Sequence, residues 1–232
     1  MGSTGAMIVR WLAVFGPRKV LMYNPDQFRE ERSEVLRDFI AQHPLGALVA
    51  VTAEGLTANH IPMLWKEREG TAGVLQGHLA RANPLWKTTA PDTAVLVIFG
   101  GADRYITPSW YPAKEEHGKV VPTWNYSVVH AHGTIRFDES REHGLLRVRE
   151  LTDRQEASRP EPWKVSDAPA DYIAKMLDHI VSFEIAVTRL IGKFKASQHR
   201  PQDERNIVAA ALAAEGASAS ELNEVIRSPK QC

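Results

Sequence analysis

The apolar positions of this chain change period several times along its length. Val35, Leu36, Phe39 and Ile40 recur at the spacing of a helix face, Ser33 stands where a cap would, and Pro44 stops the pattern. An almost continuous apolar run follows at 45–52. Glu54-Gly55 then marks a turn and 56–64 resumes as an extended segment, so the two read as a hairpin. Further strands are predicted at 74–78 and 94–100, the second strongly β-branched, with Asn83-Pro84 placed to cap a short helix between them. Two long strands are predicted at 124–137 and 180–191. In the latter, Val181, Phe183, Ile185 and Val187 alternate with Ser182, Glu184, Ala186 and Thr188. Helical patterns occupy 141–153, 170–178, 203–214 and 218–227. Strands joined by hairpins, with helices late in the chain, predict a mainly β fold with α elements: an antiparallel barrel of about six strands with peripheral helices.

Composition narrows the function classes. With 232 residues, 44% of them apolar, the chain can bury one substantial core. Residues 1–21 are expected to be a leader or extended start outside the fold, and 22–232 a single domain. The apolar run at 8–15 is broken by Arg10 and is too short to span a bilayer. Lys plus Arg and Asp plus Glu both number 28, so no global field draws the protein to nucleic acid or to an anionic membrane, and any phosphate binding must be local. The one cysteine, Cys232, has no partner in the chain, which fits a reducing, cytoplasmic compartment.

Four stretches carry candidate chemistry. In Val121-Pro122-Thr123-Trp124-Asn125-Tyr126, strand alternation would put Trp124 and Tyr126 on one face and Asn125 on the other. That offers a planar heterocycle an apolar surface and hydrogen-bonding groups. A second aromatic cluster, 105–111, includes Tyr105, Trp110 and Tyr111. Gly77-His78-Leu79-Ala80-Arg81-Ala82-Asn83-Pro84 sits where a strand ends and a short helix begins, a junction at which Arg81 could hold a phosphate. The fourth stretch, 192–200, sets Lys193 and Lys195 on one strand face, where two ammonium groups repel unless an anion lies between them; Ser197 and Gln198 follow as polar caps. Each also has a plain reading, as a capped turn, a wet surface or core aromatics.

Other chemistries find less support. His130 and His132 would share a strand face, but no carboxylate or thiol stands at ligand spacing, and no metal site is expected. No Gly-x-Ser-x-Gly elbow and no glycine-rich nucleotide loop occurs. Residues 206–214, the Gly216 turn and 220–227 can be drawn as a helix-turn-helix. Glu221 and Glu224 would oppose phosphates there, which favours packing or dimer helices.

Taken in order, Met22-Tyr23-Asn24-Pro25 with Phe28, Gly77-His78-x-Ala80-Arg81-x-Asn83-Pro84, the 105–111 and 121–126 segments, the 180–185 strand and Lys193-x-Lys195-x-Ser197-Gln198 resemble the PaiB family of FMN-binding negative transcriptional regulators. The resemblance runs from about residue 22 to residue 215. It implies a split β-barrel, usually a homodimer with FMN held between subunits. It also implies that Arg81, Lys193, Lys195 and Ser197 meet the phosphate and that Trp110, Trp124, Asn125 and Tyr126 line the ring side. His78 and Asn83 would fix the loop, and Gln198 completes the motif. Where the family commonly shows Ser, Gly and Asn, this chain has Thr107, Ser182 and His199. The function implied is a flavin-dependent oxidoreductase or a flavin-linked regulator. A pocket given over to haem or another small molecule, and a transcriptional repressor without catalysis, remain as alternatives.

Overall fold

A computed structural model describes residues 22–69, 72–215 and Ile226; the sequence expectations for residues 1–21 and for a helix at 218–227 fall outside these, apart from Ile226. The described residues form seven strands: β1 (Arg29–Glu30), β2 (Leu45–Thr52), β3 (Gly55–Lys66), β4 (Val74–Ala80), β5 (Thr93–Ile106), β6 (Thr123–Asp138) and β7 (Ile180–Lys195). Every pairing is antiparallel, in the order β1-β7-β4-β3-β2-β5-β6, and β6 also pairs with β7. That last pairing closes a ring of six strands, and β1 is a two-residue addition on the outer edge of β7, opposite Gly192 and Lys193. The expected barrel of about six strands is therefore what forms.

Alternation fills the barrel. Leu48, Ile61, Met63, Leu75, Val97, Phe99, Val129, Ala131, Phe183 and Ile185 all point inward and are buried. Helix α1 (Ser33–Gln42) packs Leu36, Phe39 and Ile40 against this core, and the Phe39 ring lies 5.3 Å from that of Phe194. Ser33 was expected to cap α1 but begins it instead. The cap position is Arg32, whose guanidinium meets the buried Glu30 carboxylate (Nη2 to Oε2, 2.7 Å) while Glu30 Oε1 accepts the backbone N–H groups of Glu31 and Arg32. No side chain caps the first turn of α1; the Glu30 carboxylate instead fixes the two residues that lead into it.

The remaining helices sit around the barrel: α2 (Leu85–Thr88), α3 (Ala113–Glu116), α4 (Arg141–Glu156), α5 (Ala170–Leu177) and α6 (Gln202–Ala214). Arg147 of α4 is nearly buried and donates to Glu150 (2.8 Å) and Glu184 (3.0 Å). Lys66 also reaches Glu150, and Arg68 reaches Glu184. This network ties α4 to β3 and β7. Helix α6 joins a second, smaller core with Ile106, Tyr111, Ala196, Val208, Ala209, Leu212 and Ile226.

The outer face of β3, β2, β5, β6 and β7 forms two continuous cross-strand rows. One runs His60, Ala47, Ile98, His130, Ile191; the next runs Ala58, Val49, Leu96, His132, Arg189. On β2, β5 and β6 the inward neighbours of these residues are buried, whereas the row residues themselves are half-buried or exposed. Among the described residues the helices pack elsewhere, α1 against β3, β6 and β7 and α4 against β4 and β7.

Candidate functional site

The start of β6 places the first aromatic stretch, and the predicted alternation holds. Trp124 is 54% exposed while Asn125 is fully buried. Trp124 pairs with Tyr105 of β5 across the sheet, their rings edge-on at 6.0 Å. Asn125 turns its amide inward onto Ser197, with Nδ2 donating to Oγ at 3.0 Å and Oδ1 3.2 Å from the same hydroxyl. Ser197 is itself buried and holds a left-handed backbone, φ 59°, so this pair clamps the turn that ends β7. The Tyr111 hydroxyl faces Ser197 without completing a hydrogen bond, and the Arg200 guanidinium stacks 4.6 Å over the Tyr111 ring.

The β6–β7 register brings the lysines to these aromatics, with Tyr126 opposite Lys195 and Val128 opposite Lys193. Lys193 Nζ donates to the Tyr23 carbonyl at 2.9 Å and lies over the rings of Tyr23 (5.3 Å) and Tyr126 (5.5 Å), within cation–π range. Lys195 Nζ donates to Thr123 Oγ1 and, at 2.7 Å, to the Trp124 carbonyl. Burial, reinforced by the neighbouring Lys193 charge, pushes the Lys195 ammonium below the usual lysine range. Among the described residues neither ammonium is paired with a carboxylate. Gln198 closes the turn, its Oε1 accepting from Ala196 N at 2.7 Å and its Nε2 donating to the Phe194 carbonyl. Two close, unneutralised cations beside exposed aromatic rings suit an anionic ligand carrying a planar system.

Beside this cluster lies an open cleft of about 350 Å³, lined by Asp103, Arg104, Tyr105, Thr107, Trp110, Trp124 and Glu215. Trp110 reaches it from the 3-10 turn at Pro108–Trp110, which Thr107 caps by accepting from Ser109 N at 3.2 Å. Threonine in place of the family's serine therefore keeps the capping hydroxyl.

His78, Arg81 and Asn83 lie elsewhere, where β4 meets the first residue of β7; Ile180 and Lys195 are fifteen residues apart, about 50 Å of extended strand. Arg81 donates from Nε to the Asp178 carbonyl (2.8 Å), from Nη2 to the Ile180 carbonyl (3.0 Å) and from Nη1 to Glu139 (2.6 Å). A guanidinium has five N–H donors, so two remain. Asn83 accepts from Leu85 N at 3.0 Å, capping α2, and donates to Asn59 at 2.7 Å. His78 is half-buried with Nδ1 unpartnered among the described residues, and burial holds its imidazole below the usual range. Opposite it, Ser182 stands where the family commonly has glycine; its hydroxyl is buried but donates to the Asp138 carbonyl at 2.9 Å. His199 turns edge-on to Phe28, 5.4 Å away.

One protomer thus joins Trp124, Asn125, Tyr126, Lys193, Lys195, Ser197 and Gln198, sets Trp110 in the adjoining cleft, and keeps His78, Arg81 and Asn83 apart. Sequence reasoning missed Tyr23, Thr123 and Asp103. The first two immediately flank or belong to quoted motifs, but their role comes from strand register. Asp103 is the first paired residue after a bulge in β5. Among the described residues no group of three or more histidines, cysteines or carboxylates is placed to hold a metal. None of their helices is long and apolar enough to cross a membrane.

Residues 22–189 match the family described as "Putative FMN-binding domain"; the match ends four residues before Lys193. An uncharacterized protein of Emericella nidulans is 34% identical over 220 residues, 80% of this chain and 88% of its own. The protease synthase and sporulation protein PAI 2 of Bacillus subtilis is 29% identical, covering 88% of this chain and 96% of its own. Among solved structures, an FAD and haem binding protein of Mycobacterium smegmatis superposes with a TM-score of 0.53 at 16% identity, over 82% of this chain and 80% of that one. That likeness speaks for the fold. With the family match covering most of the described barrel, the chain belongs to the PaiB-like FMN-binding family of split β-barrels.

Proposed function

We propose that this protein binds FMN at a seam between two copies of itself and works as a flavin-dependent oxidoreductase or flavin-linked regulator. The observation that carries the reading is the Lys193–Lys195 pair, two ammonium groups without a carboxylate, set against Trp124 and Tyr126. The flavin phosphate relieves their mutual repulsion, and the aromatic rings meet the heterocycle. Bound flavin supplies the redox chemistry; the chain binds and orients it.

Two features support a second copy as the other wall. The sheet face described above is five strands wide and aliphatic at six of its ten central positions, and it continues into exposed Leu45, Val51 and Leu56. Four strand spacings of about 4.8 Å and a strand length near 25 Å give roughly 500 Å². With the Tyr105–Trp124 edge, this comes close to the roughly 800 Å² per partner of a standard interface. In addition, the Arg81 junction, with two donors to spare, can reach a phosphate on the lysine cluster only from a neighbouring molecule.

FMN and riboflavin titrations, read by quenching of flavin fluorescence, test the reading. FMN should bind about tenfold or more tighter than riboflavin, since a charge-assisted phosphate contact contributes about 1.5–3 kcal/mol. Lys193→Met/Lys195→Met should abolish that preference. A colourless preparation that quenches neither flavin refutes the proposal.

A further inference from the structure

The outer sheet face carries a charge pattern that flavin binding does not require. Its two central rows hold six aliphatic residues, His60, His130, His132 and Arg189, and no carboxylate. The rings of His130 and His132 are 6.5 Å apart. His130 has Ile98 on one side and Ile191 on the other; His132 has Leu96 and Arg189. Across the diagonals lie Gly100, Ala94 and Lys193, and along β6 itself Val128 and Thr134, so every charged neighbour on β5, β6 and β7 is cationic. The Arg189 guanidinium has no hydrogen-bond or ion-pair partner among the described residues, and His132 Nε2 is buried without one.

We propose that pairing of this face with its copy is gated by protons: neutral His130 and His132 permit association, and their protonation drives the two copies apart. The proposal rests on the two-copy reading given above. A two-fold interface places the same patch on both sides, so each added charge meets a like charge, with Arg189 already present and no carboxylate to offset it. Burial already holds both imidazoles below the usual range, with a smaller push from His132 on His130 and from Arg189 on His132. Assembly removes more water and lowers them further. The sign follows. A basic group whose proton affinity falls on assembly leaves association unaffected above its free-protomer value. It weakens association as pH drops below that value, a window that opens under about pH 6.5 and ends at the assembled-state value. Within it, four histidines per pair raise the dissociation constant by up to about four decades per pH unit, and one or two decades is a conservative expectation.

The test is analytical ultracentrifugation of the full chain, with and without FMN, from pH 8 to pH 5, with far-ultraviolet circular dichroism confirming that the fold persists. Association at pH 8 that weakens at least tenfold by pH 5.5, and a His130→Gln/His132→Gln variant that associates with a flat pH profile, support gating. A pH-independent pair overturns the gate and leaves the two-copy reading standing. A monomer at pH 8 that binds FMN overturns both. So does a monomer whose sheet face becomes dye-accessible only when residues 1–21 are removed, since those residues would then be what covers it.

Discussion

Removing the Asn125 carboxamide tests whether the turn after β7 is held by one polar contact. Asn125 is fully buried, Ser197 nearly so, and each is the other's side-chain hydrogen-bond partner. Asn125→Ala strips the Ser197 hydroxyl of that partner in a dry site, costing about 1–3 kcal/mol, and the vacated volume adds about another 1 kcal/mol. Ser197→Ala leaves the larger amide unsatisfied, again about 1–3 kcal/mol. If the contact is what both substitutions remove, the double variant loses less than the sum, with a coupling of about 1–2 kcal/mol. Backbone and side chain can also be separated at Ser197. At φ 59° an L-residue is strained by about 1–2 kcal/mol, so Ser197→Gly should be milder than Ser197→Ala by about 1 kcal/mol. Urea unfolding of the four members of the cycle, plus Ser197→Gly, reads all of these. Additivity within about 0.5 kcal/mol refutes the clamp, and Gly and Ala behaving alike at position 197 refutes the strain.

Two further outcomes follow from the barrel. A Cβ on Gly192 would stand 2.3 Å from Leu36 Cδ2 and 3.1 Å from the Glu30 carbonyl oxygen, so Gly192→Ala should lower stability by about 1–3 kcal/mol in urea unfolding; a neutral result means α1 and β1 do not close on β7 as described. Arg147→Met should cost about 1–3 kcal/mol at pH 7, moderated because Lys66 and Arg68 still serve Glu150 and Glu184. Burial pushes these two carboxyls up, but hydrogen bonds and the charges of Lys66, Arg68 and Arg147 outweigh it and hold both below the usual range. Their stabilisation is therefore present above about pH 4.5 and is lost as pH falls through their depressed values, so the gap between wild type and Arg147→Met should narrow under acid. A gap unchanged down to pH 3 refutes the electrostatic account.

The sequence showed where strands begin more reliably than where they end. Strand β5 was expected to stop at Gly100, because Gly100-Gly101 and Asp103-Arg104 break the apolar pattern. In the structure a bulge takes up Gly101-Ala102 and pairing resumes from Asp103 opposite Tyr126 to Ile106 opposite Thr123. Strand β7 was expected to end at Ile191, yet it continues through Gly192-Lys193-Phe194-Lys195 because β6 supplies partners on one side and β1 on the other. Charged strand ends are legible only once a partner is known. The same limit separates the candidate residues: their types were readable as chemistry, but the joining of Lys195 to Tyr126, and the distance of Arg81 from both, are matters of register that local pattern does not encode.

The candidate site and the proposed seam share two strands, so under the proposal flavin binding is coupled to pairing. Val128 opposite Lys193 is the cross-strand pair next but one to His130 opposite Ile191, so the ligand cluster and the histidine rows are continuous on β6 and β7. If FMN lies between copies, it binds the pair more tightly than the single chain, and by linkage the factor by which pairing strengthens FMN binding must equal the factor by which FMN strengthens pairing. A coupling of about 1–3 kcal/mol, ordinary for linked sites, corresponds to a shift of about 5- to 150-fold in either constant. Sedimentation with saturating FMN should therefore show tighter association, and FMN titrations above and below the dissociation constant of the pair should differ by the same factor. Acid should release flavin over the range in which it separates the copies. FMN affinity that ignores protein concentration would place the flavin within one chain and cut the site loose from the seam.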